Sequence, residues 1–230
     1  DVIGRSDEQI LAQYKDNPAK LSVEELVYGA NKLVADKATK KDWYNTLVKQ
    51  YPSDYRALNN LAQMAIEEGD AETAKKYLQK AQSINKSASE VNTNLGLLAL
   101  KSGDVKAAET YLAAGSGANT FNEVMGALNV AKGNYTQAAN NMKGAKSNAA
   151  ALAQILAKDY NSAKSTLNSI KNADAITSYL KAVLAARTGD TGALASNLKN
   201  AIQQDATLAA RAAKDLEFAK YASTIKDIVK

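Results

Sequence analysis

Three Ser-x-x-Lys triplets, Ser83/Lys86, Ser196/Lys199 and Ser223/Lys226, are the nearest this chain comes to a nucleophile beside a base. One turn apart on an exposed helix, such a lysine stays protonated and cannot draw a proton from the serine. The companion motifs of the Ser-Lys enzymes are absent. The densest carboxylate cluster, Glu67, Glu68, Asp70 and Glu72, has the oxygen chemistry of a hard-cation site. It lacks the alternating ligands and glycine of a calcium loop, and Asp70 and Glu72 read better as anions at a helix start. Gly103, Gly115, Gly117 and Gly126 do not form a phosphate loop, because no Gly-x-x-x-x-Gly-Lys-Ser/Thr is present. The chain has no histidine and no cysteine. Histidine triads, thiolate nucleophiles, disulfides and every His- or Cys-ligated metal site are excluded. No catalytic, metal or cofactor residue is therefore expected; a carboxylate-pair hydrolase is the remote catalytic option, and the positive argument lies in binding.

Composition narrows the kind of binding. The formal net charge is +5, and the basic excess is nearly all lysine, with arginine only at positions 5, 56, 187 and 211. Apart from the doublets Lys40-Lys41 and Lys75-Lys76, those lysines stand singly along helix faces, without the clustered Arg/Lys and interleaved aromatics of a nucleic-acid surface, so nucleic acid is not an expected partner. No run reaches the length of apolar sequence that a membrane span requires, and membrane insertion is not expected. Hydrophobic content is 46%, much of it alanine, and aromatics are only 6%. Small side chains let helix backbones approach closely, so many thin helix contacts are expected in place of one thick core. Proline occurs only at 18 and 52, which leaves helices almost uninterrupted. The chain starts at Asp1 without Met or a signal peptide, as expected of a processed mature protein or a piece of a larger one.

The elements that would present a binding surface repeat along the sequence. Residues 57–81, 92–115 and 122–145 can be laid over one another: apolar-x-x-apolar-small, then Gly-Asp or Gly-Asn, then Ala, a large residue and a small one. Self-similarity of this kind specifies a stack of helix pairs. The spacing predicts a helix over 55–68 with Leu58, Leu61, Ala62 and Ala65 on one stripe. A second helix over 71–84 turns Ala74, Leu78 and Ala81 toward it. Gly69 suits the end of the first helix and Asp70 the N-cap of the second. Stepping by 34 residues leads to Leu95, Gly96, Ala99, Gly103-Asp104, Ala108, Leu112 and Gly115.

This pattern resembles the tetratricopeptide repeat, and Asn94-Leu95-Gly96 with Gly103-Asp104 and Ala108 is its closest copy. Ala62, Ala65 and Asn129 depart from the glycine and tyrosine usual there. The resemblance implies an all-α, right-handed superhelix of antiparallel helix pairs. Units are expected to start near 21, 55, 89, 119, 144 and 175, giving about six over 21–203, regular over 55–145 and shorter toward the end. Residues 204–230 read as closing helices. Residues 1–20 read either as the second helix of a truncated unit or as an ordinary leading cap, with Ser6 at its start.

The resemblance also implies a concave wall lined by the second, fifth, ninth and thirteenth positions of each unit. Here these are Arg56, Asn59, Gln63 and Glu67, then Glu90, Thr93, Leu97 and Lys101, then Thr120, Glu123, Ala127 and Ala131. Leu152, Leu156, Tyr179, Val183 and Arg187 continue it. Asn60 and Asn94 match an asparagine that stacks helices in this family and are not expected ligands. The lysines of the family's carboxylate clamp are replaced by Asn59, Thr93 and Glu123, so docking of chaperone C-termini is not implied. The expected function is a non-catalytic scaffold for a protein or peptide, with no small-molecule substrate. The alternative is a spacer or oligomerisation module of a larger exported bacterial protein. The Tyr/Asn/Ala-rich, cysteine-free make-up is similar to bacterial envelope proteins of this family, which implies an exported, periplasmic or outer-membrane-associated setting rather than a cytoplasmic one.

Overall fold

The structure, a computed structural model, describes residues 4–230; residues 1–3 of the leading segment lie outside the described residues. Among the described residues every regular element is helical, and the expected all-α fold of antiparallel pairs is what is found. The chain divides into two compact units, 1–121 and 122–230.

The first unit opens with α1 (Asp7–Asp16), whose capping box joins Ser6 and Gln9 reciprocally. Ile10 points from α1 into a cluster with Leu21, Leu26, Trp43 and Leu47. Next comes α2 (Val23–Tyr28), capped by Ser22 and Glu25, which runs directly into a π-helical turn over Gly29–Leu33 before α3 (Lys37–Gln50). A regular pair was expected here, and the π turn breaks its first helix. The reason is steric. Trp43 lies so close over Gly29 that a Cβ there would fall on its ring, and Tyr14 stacks on the same indole with ring centroids 3.8 Å apart. A π turn, which is uncommon and local, sets the backbone where the indole fits.

The regular pairs follow: α4 (Tyr55–Glu67) with α5 (Ala71–Ile84), and α6 (Ser89–Lys101) with α7 (Val105–Leu112). Each turn does two jobs. Gly69 and Gly103 take φ of +79° and +81°, the left-handed conformation that glycine adopts without strain. The next amide reaches back, Asp70 N to Ala65 O at 2.8 Å and Asp104 N to Ala99 O at 2.9 Å, closing the helix by a Schellman bond. The same aspartates then cap the following helix, accepting from Thr73 N and Ala107 N. The predicted stripes are buried: Leu58, Ala62 and Ala65 meet Ala74, Leu78 and Ala81 in one cluster.

In the second unit α8 (Phe121–Ala131) pairs with α9 (Tyr135–Asn141), α10 (Asn148–Leu156) with α11 (Tyr160–Ser169), and α12 (Ala175–Thr188) with α13 (Thr191–Gln204). The expected shortening around Lys158-Asp159-Tyr160 is present. Lys158 itself occupies the turn position held elsewhere by glycine, at φ +65°. The closing segment consists of α14 (Leu208–Lys214), a 3-10 stretch over Leu216–Tyr221 and α15 (Ala222–Ile228). Phe218 and Ile225 anchor it in the same core as Tyr179, Leu194 and Leu198.

Candidate protein-binding face

In the first unit the expected wall falls into four rows across α4 and α6, and the rows differ in what they are free to do. In the row of Asn59 and Thr93 both side chains are used internally. Asn59 is 8% exposed and its amide oxygen accepts from Asn94 Nδ2 at 2.9 Å; Thr93 is 0% exposed and donates to Gly115 O at 3.1 Å. These residues were expected to line the surface, and they instead lie in the packing beneath it. The helices approach closely here, and any polar group in the seam must find a protein partner.

Arg56 is half-buried and already engaged. Its guanidinium donates to Asp54 at 2.7 Å and to Glu24 at 2.9 Å, tying α2 to α4. The Asp54 bonds, then those from Glu24, hold the Arg56 guanidinium above its ordinary value. Burial pushes Asp54 up, but the charge and hydrogen bonds of Arg56 outweigh it and leave the carboxyl below the usual range. Its counterpart on α6, Glu90, is exposed. The remaining rows face solvent: Gln63, Glu67 and Lys101 are exposed and Leu97 is half-buried. One apolar position is thus framed by an amide, a carboxylate and an ammonium.

In the second unit Glu123 is exposed, while Ala127, Leu152 and Leu156 are half-buried. The C-terminal end of the expected wall is not open. Tyr179 is 1% exposed and donates to Asp215 Oδ2 at 2.6 Å, with Phe218 edge-on at a centroid distance of 5.6 Å. Burial and then the Asp215 bond push the Tyr179 phenol well up. Arg187 forks onto Glu217 at 2.7 and 2.8 Å and donates to Ile155 O at 3.0 Å. The closing segment covers these positions, so Tyr179, Val183 and Arg187 are not solvent-facing wall. Asp215, Glu217 and Phe218 were read from the sequence only as part of a closing helix. Their acid-x-acid-aromatic order opposite an arginine was the available signal.

Ser83 is exposed and donates to Lys80 O at 2.7 Å. Among the described residues no group of three or more His, Cys, Asp or Glu side chains is placed to hold a metal. Asp70 serves as an N-cap and Glu68 pairs with Lys41 at 3.7 Å. No helix among the described residues is long and apolar enough to cross a membrane. A cleft of about 640 Å³ opens between α5 and α7, floored by Leu95 and Leu98 with Tyr111 and Gln79 at its sides. It was not anticipated, because the repeat signature marks on the second helices only the inward stripe, such as Ala74, Leu78 and Ala81, and not the residues that line the cleft.

Comparison with known proteins agrees with this geometry. Residues 65–128 match the family model described as tetratricopeptide repeat. No curated protein matches the chain significantly. Among solved structures, a tetratricopeptide repeat protein from Parabacteroides merdae superposes with a TM-score of 0.59 at 14% identity, covering 96% of this chain and 91% of that one. A chain of the APC/C hetero-tetramer Cut9-Hcn1 gives 0.71 at 14%, covering 98% of this chain but only 46% of that one. PilW, a type IV pilus biogenesis factor, gives 0.58 at 15%, covering 89% and 98%. Identities this low speak for the fold alone; the direct match identifies tetratricopeptide repeat sequence over residues 65–128, and the rest of the chain shares the fold of such proteins.

Proposed function

We propose that the protein is a non-catalytic scaffold that holds a protein or peptide partner, and that the first unit presents the contact through Gln63, Glu67, Leu97 and Lys101. The observation that carries this reading is the division of labour along α4 and α6. The Asn59/Thr93 row is spent on packing, while the adjacent rows put a half-buried leucine among exposed polar side chains. A partially covered apolar anchor with a polar surround is the composition of a binding patch, and exposed charges around it add orientation more than affinity. Tetratricopeptide folds present helix faces of this kind, and the neighbour Cut9-Hcn1 is itself part of a hetero-tetramer.

A photo-crosslinking residue placed at position 63 or 97 tests the reading against one placed at 79 or 80 on α5. Adducts to a defined partner from the α4/α6 positions, and none from α5, support it. Adducts from α5 alone overturn it. We propose an exported, periplasmic or outer-membrane-associated setting, a reading supported by the Tyr/Asn/Ala-rich, cysteine-free composition and by the fold shared with PilW, a type IV pilus biogenesis factor. Cell fractionation decides that point, and recovery with cytoplasmic markers sinks it.

A further inference from the structure

The face of α12 that bears Tyr179, Val183 and Arg187 is built like a peptide site and is filled by the chain's own C-terminal segment. The contacts come from Asp215, Glu217, Phe218 and Tyr221 of one short stretch. Asp215 accepts from the Tyr179 hydroxyl at 2.6 Å, and Glu217 accepts the Arg187 fork at 2.7 Å. Between these two, Leu216 is 88% exposed. Phe218 lies edge-on to the Tyr179 ring, and Tyr221 donates to Ala186 O at 3.2 Å. Arg211 lies over the Tyr179 ring, 4.8 Å from its centroid. A bidentate arginine clamp on a carboxylate and a buried aromatic beside it are how grooves recognise linear segments. Within the stretch Glu217 N donates to Asp215 Oδ1 at 2.9 Å and Phe218 N to Asp215 O at 3.1 Å, and the contacts with α12 add to these weak 3-10 bonds in holding it.

We propose that this face is a second binding site, specific for segments of the pattern carboxylate-x-carboxylate-aromatic, and that residues 215–221 are a built-in ligand which a partner segment of that chemistry displaces. The proposal does not rest on the α4/α6 reading. A tethered segment competes at an effective concentration of about a millimolar, so a partner binds weakly until the tether yields. Apparent affinity is reduced by the fraction of molecules whose site is open.

A labelled peptide spanning residues 213–223 is titrated, by fluorescence anisotropy, into the intact chain and into chains carrying Glu217→Gln or Asp215→Asn. Freeing the site should tighten peptide binding by at least about tenfold in the variants. Adding Arg187→Ala to either variant, or changing the Glu and Phe of the peptide to Gln and Ala, should abolish it. Equal binding by intact and released chains, or binding indifferent to these controls, overturns the proposal. Hydrogen exchange on the unaltered chain guards against misfolded variants. Amides of 215–221 should exchange at least about tenfold faster than those of α12 and α13. Exchange of the segment only together with those helices would show that it never leaves, and would sink the idea.

Discussion

Gly96 lies directly beneath Leu112: a Cβ added to the glycine would stand 2.8 Å from Leu112 Cγ, closer than real side chains approach. The same sequence offset joins Ala62 to Leu78, Gly126 to Met142, Ala151 to Leu167 and Ala182 to Leu198, all buried. Each pair of helices is therefore keyed by one small residue under one large one. Burying each of the large side chains contributes about 2 kcal/mol or more. At α6 and α8 the fit leaves no room even for a methyl group.

Gly96→Ala should accordingly destabilise the first unit despite alanine's better helix propensity. The propensity gain is about 1 kcal/mol, and overpacking a tight contact costs about 1–3 kcal/mol, so a net loss of about 1 kcal/mol is expected. Leu112→Ala in the same chain should remove the clash, so that the two substitutions together cost less than their sum. Urea unfolding of the four chains of this cycle measures the coupling. Strict additivity would show that the two residues do not meet.

Lys158 holds the left-handed turn conformation that Gly69, Gly103, Gly133 and Gly189 hold elsewhere. A Cβ at positive φ costs about 1 kcal/mol, partly offset by the greater freedom of glycine in the unfolded chain. Lys158→Gly should therefore stabilise by about 0.5 kcal/mol, raising Tm by about 1–2 °C. Gly189→Ala should do the reverse by a larger amount. Calorimetry reads both, and a lower Tm for Lys158→Gly would contradict the strain.

The helix pairs were legible because their signals are local: a glycine, an aspartate and a small residue at fixed offsets specify the turn and the facing stripe within one unit. The π turn at Gly29 was not, because it depends on Trp43, a bulky side chain from the next helix that the repeat pattern does not foresee. The site was only partly legible for the same reason. Repeat position says which way a side chain starts, but its cover comes from distant chain. Tyr179 and Arg187 are covered by Asp215, Glu217 and Phe218, and Thr93 by the carbonyl of Gly115.

The buried bond from Asn94 Nδ2 to Asn59 Oδ1 is a seam between α4 and α6. Asn94→Ala should leave the Asn59 amide without that partner, at a cost of about 1–3 kcal/mol. Replacing both by Leu should recover part of this loss, since no orphaned polar group then remains. Denaturant midpoints of the single and double variants provide the comparison. If the double variant is worse than Asn94→Ala, the bond is not what holds the seam.

Acid should unfold the protein in a window set by its capping and paired carboxylates. The backbone bond from Thr177 holds the Asp174 carboxyl below its ordinary value, and the backbone amide of Ser22 does the same for Glu25. Asp54 is lowered by Arg56 against the opposing effect of burial. A carboxyl depressed in the folded state stabilises it fully above its unfolded value, near 4, and that contribution disappears as pH falls through the folded value. The chain lacks histidine and cysteine, the residue types whose ordinary values lie nearest neutrality, so stability should be flat between about pH 5 and 8. Urea midpoints should hold across that plateau and fall steadily below about pH 4. Asp174→Asn keeps an acceptor for Thr177 N but no longer titrates, so its midpoint should start lower and decline less steeply over the acid range. A midpoint that moves between pH 5 and 8, or an Asn variant with an unchanged acid slope, would show that other groups govern the transition.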